Sequence, residues 1–239
     1  MTAIAIITAR GGSKRIPGKN IRPFLGKPII SYSIQAALDS GIFDTVMVST
    51  DSEEIASIAR TLGAQVPFLR SAATADDYAS TDDVIREVLL AYQHRGECFD
   101  SFCCIYPTAP FVTADKLKQG MELLQEAESV MPVVAFSYPP LRGLQLNEAG
   151  ELRRIWPEYA MTRSQDLPVY YHDCGQFYCC RTAPFLEKGT TDLDNMVPLF
   201  MNEMEVQDID TLQDWEIAEV KYRIMLNRQE EQGEERNNH

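Results

Sequence analysis

The sequence predicts an α/β fold with a mostly parallel sheet covered on both faces, and three observations predict it. Strand-like and helix-like patterns alternate from residue 3 to residue 136, at the rhythm of strand–helix–strand units. The opening run Ala3–Thr8 is rich in β-branched residues, as in a strand buried on both sides, and it ends in a glycine-containing loop. The 239 residues suffice for one substantial core, and no Pro/Gly/Ser-rich linker divides them.

Each element has its own signal. After the loop, Pro28–Ser40 carries Ile30, Ile34, Ala37 and Leu38 at helical spacing, and Gly41 follows as a stop. Thr45–Ser49 reads as a second strand. Asp51 with Glu54 forms a capping box ahead of a helix at Ile55–Leu62, which Gly63 closes. Thr81–His94 is the next helix and Ser101–Tyr106 the next strand. Pro107-Thr-Ala-Pro110 breaks the chain before a helix at Ala114–Glu126 and a strand at Val130–Phe136. From Ser137 the rhythm changes: Gly143–Trp156 has the pattern of an antiparallel hairpin turning at Asn147–Gly150. Gln176–Cys180 returns to strand, and a last helix is expected from Thr211 to Leu226. The chain is read as one domain over 1–226 with an inserted segment at 137–170. The charged tail 227–239 is expected to be disordered.

Composition excludes some functions. The net charge of −13 repels phosphate backbones and disfavours general nucleic-acid binding. No apolar run approaches membrane-spanning length, and Ala3–Ala9 lacks the length and flanks of a signal peptide. The six cysteines match no zinc spacing, so reduced, mostly buried thiols and a cytoplasmic setting are expected.

The chemistry concentrates after the first strand, in Ala9-Arg-Gly-Gly-Ser-Lys-Arg-Ile-Pro-Gly-Lys-Asn20. Ligands of open parallel sheets bind beyond the carboxyl ends of strands, where this loop lies. Gly11 and Gly12 let the backbone approach a ligand, and Arg10, Lys14, Arg15 and Lys19 gather positive charge in an otherwise acidic chain. Such density invites a polyphosphate more than it suits a solvated turn. A P-loop needs four residues between its glycines and a Ser or Thr after its lysine. Here five separate Gly12 from Gly18, and Asn20 follows Lys19. The G-x-G-x-x-G fingerprint of dinucleotide oxidoreductases is absent as well.

This loop resembles the signature of the CMP-sialic acid synthetase (acylneuraminate cytidylyltransferase) family. The resemblance extends to about Leu226 through Ser49-Thr-Asp51, Pro107-Thr-Ala-Pro110, Arg163-Ser-Gln-Asp-Leu-Pro168 and Asp208-Ile-Asp210. It implies a Rossmann-like domain of the nucleotide-diphospho-sugar transferase kind that moves CMP from CTP to the anomeric hydroxyl of a sugar acid. By the same resemblance Ala9, Arg10, Gly11, Ser13, Lys14 and Asn20 contact the nucleotide, and Arg70 and Ser80 hold its cytidine half. Arg10 and Lys19 would be catalytic, with Lys19 neutralising the α-phosphate. The family pairs into a homodimer through an inserted element, which the Gly143–Trp156 hairpin matches, and Arg142 just before it would reach the partner's site.

Asp208 and Asp210 lie two apart, so in an extended segment both carboxylates face one way and could hold a divalent cation. Spacing alone equally allows Asp210 to cap the last helix with Gln213. The resemblance favours Mg²⁺ or another divalent cation, with Asp210 also the candidate general base. For the sugar, Arg163 offers a cation to a carboxylate and Gln165 a hydrogen-bonding amide. Tyr106, Asp173 and Gln176 complete the expected sugar contacts. Tyr106 stands where neuraminic acid enzymes carry Gln, and His172-Asp-Cys-Gly-Gln-Phe-Tyr178 is most similar to the pseudaminic acid branch. The rivals are an N-acetylneuraminate or legionaminate synthetase, a Kdo cytidylyltransferase, and a non-catalytic nucleotide-binding paralogue.

Overall fold

The computed structural model describes residues 1–75 and 78–237, with side chains described through residue 228. Strand β1 (Ala3–Thr8) leads through the glycine loop to two short strands, β2 (Pro23–Phe24) and β3 (Lys27–Pro28), and helix α1 (Ile30–Ser40). There follow β4 (Thr45–Ser49), α2 (Glu53–Thr61), α3 (Ala72–Ala75), α4 (Thr81–His94), β5 (Ser101–Ile105), α5 (Ala114–Leu123) and β6 (Ser129–Ala135). The second half adds β7 (Leu144–Leu146), β8 (Leu152–Arg154), β9 (Tyr171–Asp173), β10 (Phe177–Arg181), α6 (Thr182–Lys188), β11 (Met196–Phe200) and α7 (Leu212–Asn237).

A seven-stranded sheet in the order β11-β6-β10-β5-β1-β4, with β9 beside β6, forms the centre. β1 is parallel to β4 and β5, and β11 is parallel to β6. β10 runs antiparallel to both β5 and β6, and β9 antiparallel to β6. All strands but β9 and β10 therefore share one direction, and the sheet is mostly parallel as the alternating pattern requires.

The period of two along β1 divides the core. Ile4 and Ile6 join Met47, Phe102 and Cys104 against Ile85, Val88 and Tyr92 of α4 and Phe185 of α6. Ala5 and Ile7 join Val48, Cys103 and Ile105 against Ile34 and Ala37 of α1, Ile55 of α2 and Leu117 of α5. Both faces are covered, which is why these strands read as unbroken apolar runs. The cysteines are free thiols, buried except for Cys98.

Some local expectations are corrected. Ser52, not Asp51, caps α2, its hydroxyl accepting the Ile55 N–H. Thr211 and Asp214 cap α7 reciprocally, so Asp210 with Gln213 does not. α7 also runs past Leu226 to Asn237. Residues 227–237 contain no proline and many good helix formers, and they continue a helix already nucleated by packing. Asn238 and His239 of the expected tail lie outside the described residues.

A third cluster fixes the functional loop to the end of the chain. Ile16, Phe24, Ile29, Phe111, Ile209 and Trp215 are all buried together. The Phe24 ring lies 5.5 Å from Tyr32, 5.6 Å from Trp215 and 5.6 Å from Tyr222, each edge to face. Phe24→Ala is expected to cost about 3–5 kcal/mol, lowering the melting temperature by roughly 10 °C. Thermal denaturation followed by circular dichroism checks it, and a shift within error would place the anchor elsewhere.

Candidate active site

A cleft of about 470 Å³ opens at the carboxyl ends of β1 and β5. Arg10, Ser13, Lys14, Arg15, Lys19 and Asn20 form one side of it. Arg70, Thr74, Ser80 and Thr81 line it from the other chain segments, and Tyr106 and Thr108 from the end of β5.

The loop keeps its shape through its backbone. Ala9 is fully buried and its N–H donates to Ser49 O at 2.9 Å. The Gly11 N–H donates to Asp51 Oδ1 at 2.8 Å, and a Cβ on Gly11 would stand 3.1 Å from Ser52 Cβ. Asn20 Nδ2 donates to Arg10 O at 2.8 Å, tying the end of the loop to its start. Gly18 takes φ 64°, the left-handed region open to glycine, and so turns the chain into Lys19. Ile16 is fully buried in the third cluster, leaving Arg15 above it at the cleft.

Arg70 is wired to β4: Nε donates to Ser49 Oγ at 3.1 Å and Nη2 to Ser49 O at 2.7 Å. Burial pulls its guanidinium below the usual arginine range, with Asp51 and Glu87 opposing. Ser80 caps α4 in a box with Asp83, which aims the positive end of that helix dipole toward the cleft.

The acidic pair meets the cationic loop. Asp210 Oδ2 lies 2.6 Å from Arg15 Nη1, and Oδ1 lies 3.6 Å from Lys19 Nζ. Burial lowers the pKa of Lys19, and the charges of Asp210 and Asp208 oppose it. Burial, then the charge of Asp210, raises that of Asp208. The two carboxylates repel each other's charge and would offer hard oxygens of the kind a divalent cation takes. Among the described residues no group of three or more His, Cys, Asp or Glu gathers to hold a metal. The pair fits a magnesium ion that keeps several ligands from water or phosphate, which is how that ion is commonly held.

The expected sugar residues divide. Tyr106 lines the cleft. Asp173 lies outside its lining and accepts from the Gly175 N–H at 2.8 Å and from the Tyr178 hydroxyl. Gln176 is buried, its Nε2 donating to Glu205 O at 2.7 Å, so its amide is held away from the cleft. Arg163 and Gln165 stand on an exposed turn, with Arg163 Nε 2.8 Å from Asp166 Oδ2, and neither lines the cleft of this chain. Sequence reasoning counted Arg15 only as one of the four loop cations and gave no site role to Thr81 or Asp51. Arg15 belongs to the cation run, and Thr81 opens the helix expected at 81–94. Asp51 was read as a cap, and one residue's shift of that cap frees it to hold Gly11.

Residues 4–138 match the family model described as cytidylyltransferase. The chain is similar to the pseudaminic acid cytidylyltransferase of Campylobacter jejuni subsp. jejuni serotype O:2, with 41% identity over 226 residues, 94% of this chain and 97% of that one. It is 34% identical to the CMP-N,N'-diacetyllegionaminic acid synthase of Legionella pneumophila, over 92% of this chain and 95% of that one. A solved CMP:2-keto-3-deoxy-manno-octonic acid synthetase complexed with CTP shares the fold, with a TM-score of 0.65 at 18% identity, covering 95% of this chain and 100% of that one.

Proposed function

The chain belongs to the cytidylyltransferase family, and from that premise we propose that it transfers CMP from CTP to the anomeric hydroxyl of pseudaminic acid, a nine-carbon sialic-acid-like sugar acid, releasing pyrophosphate. One observation carries the reading: a loop with four cations and the capped start of α4 face each other across a cleft that ends at Tyr106. The name of the Campylobacter relative supports the choice of sugar.

The cleft supports an in-line displacement. The sugar hydroxyl oxygen attacks the α-phosphorus, the new O–P bond forms, and the bond to the β-phosphate oxygen breaks. Arg10, Lys14 and Arg15 hold the phosphates, and Lys19 meets the charge that grows on the α-phosphoryl oxygens. Arg70 and Ser80, backed by β4 and α4, hold the cytidine half. Asp210 is the candidate to take the hydroxyl's proton on its carboxylate. Asp208 and Asp210 would hold Mg²⁺, which when bound offsets phosphate charge.

The working unit is proposed to be a homodimer in the cytoplasm. Leu144, Leu146, Leu152 and Met161 of the inserted segment are largely exposed, as a surface awaiting a second copy would be. Arg142, Arg163 and Gln165 share that segment, so the dimer would bring them to a sugar. Among the described residues no helix is long and apolar enough to cross a membrane.

A panel of pseudaminic, N-acetylneuraminic, N,N'-diacetyllegionaminic and Kdo acids with CTP, read by pyrophosphate release, tests the assignment. Pseudaminic acid is expected to lead in kcat/KM by at least about tenfold. Rapid turnover of neuraminic or legionaminic acid with none of pseudaminic acid would overturn it.

A further inference from the structure

Two separate segments build the wall of the cleft that faces the cationic loop, and one carboxylate ties them together. Arg70 and Thr74 come from the stretch that leads into α3 and through it, while Ser80, Thr81 and Val84 come from the start of α4. Glu87 lies three residues beyond Val84, one turn further along the same face of α4. Its Oε1 accepts the Ser71 N–H at 2.8 Å, and its Oε2 accepts the Ser71 hydroxyl at 2.9 Å and the Thr74 hydroxyl. Glu87 itself stands outside the cleft lining.

The stretch that Glu87 holds has little else to fix it. α3 has four residues, far fewer than a helix needs to stand alone, and none of them is buried. Arg70, next to Ser71, is tied to the chain at the end of β4: its N–H donates to Thr50 O at 2.8 Å, and its guanidinium donates to Ser49 Oγ and Ser49 O. Its Nη1 also donates to Thr74 O at 3.5 Å. The guanidinium is therefore held from β4 on one side and from Thr74 on the other, and Glu87 anchors Thr74 to α4. An ionised carboxylate only accepts, so it suits three donors arriving from one strand of chain. Burial opposes the charge of Glu87, yet the hydrogen bonds from Thr74 and Ser71 and the charge of Arg70 outweigh it and hold the carboxyl below the usual range.

We propose that Glu87 is a positioning residue for the nucleotide: by holding Ser71 and Thr74 against α4 it sets the spacing of Arg70 and Ser80, and so the fit of the cytidine half of CTP between them. The proposal rests on the cytidylyltransferase reading above and deepens it. Glu87 acts through the segment it holds and touches no substrate.

Calorimetric titration of the full-length protein with CTP, paired with steady-state kinetics, tests it in Glu87→Ala, Glu87→Gln, Ser71→Ala and the double of Ser71→Ala with Glu87→Ala. Glu87→Ala is expected to raise the Kd and the KM for CTP about tenfold, with kcat and the KM for the sugar acid little changed. Glu87→Gln is expected to recover most of that loss, because its amide still accepts from the Ser71 N–H and can donate to the two hydroxyls. Ser71→Ala raises the Kd by about threefold, and it adds nothing in the Glu87→Ala background, where its partner is already gone.

A Glu87→Ala protein that melts lower yet binds CTP like the wild type would overturn the proposal and leave the carboxylate a buttress of the fold. A Glu87→Gln protein as weak as Glu87→Ala also overturns it, since the effect would then belong to the charge beside Arg70 and not to the clamp. If Glu87→Ala fails to fold, Ser71→Ala carries the comparison, and an unchanged Kd there overturns the proposal. A wild type that binds no CTP overturns both readings together, whereas the variants overturn this one alone.

Discussion

Lys19→Ala is expected to lower kcat by about 10²–10³ and to leave the fold in place. The lysine follows Gly18, whose left-handed φ turns the chain there, and its side chain is only 16% exposed. Burial of an ammonium opposes its charge, as the lowered pKa records. Folding therefore retains a cation in a place where its desolvation is unfavourable, and alanine relieves that strain. Nor does alanine strand the facing carboxylate, since Asp210 keeps Arg15 at 2.6 Å. Catalysis loses more. On the proposed reading, a half-dry cation beside the reacting phosphoryl group would act at lower effective dielectric than one in water and would need no reorientation as charge develops. Steady-state turnover and the melting temperature, measured on the same preparation, check the result. Turnover near that of the wild type would remove this lysine from the mechanism.

The cationic side of the cleft was legible in the sequence because its information is local. Glycines and cations within a dozen residues, placed after an apolar strand, name a polyphosphate loop without any long-range contact. The frame around it was less legible. The cluster that joins Ile16 and Phe24 to Trp215 and Tyr222 spans nearly the whole chain, and no window of periodicity can pair such positions. The cap expected at Asp51 falls one residue on, at Ser52, and the capping alternative weighed for Asp210 falls to Thr211, because neighbouring oxygen acceptors compete for the same N–H groups. Strand β11 went unread since Pro198 argues against a central strand, yet β11 is at the sheet's edge, where proline is tolerated. The expected sugar contacts divided by segment. Tyr106, at the end of a core strand, arrives in the cleft, while Arg163 and Gln165 ride on an exposed turn that local pattern cannot aim.

Asp208→Asn and Asp210→Asn are each expected to lower kcat/KM by about 10²–10³, and chelation with EDTA should abolish activity that Mg²⁺ then restores. The two substitutions together separate two roles for the acidic pair. If the carboxylates served only to hold the cationic loop, Asp210 would matter and Asp208 would not, because the ion pairs to Arg15 and Lys19 both belong to Asp210. If the pair holds a divalent cation, both losses are large and the Mg²⁺ needed for half-maximal rate rises in each variant. Stability supplies an independent readout. Burial and the charge of Asp210 oppose the ionised form of Asp208, so a neutral amide of the same shape should leave the metal-free fold as stable as before or slightly more so. A stable Asp208→Asn protein with full activity would confine the acidic role to Asp210. A stable protein with little activity would mean that the fold tolerates two crowded carboxylates for the sake of the ion they share.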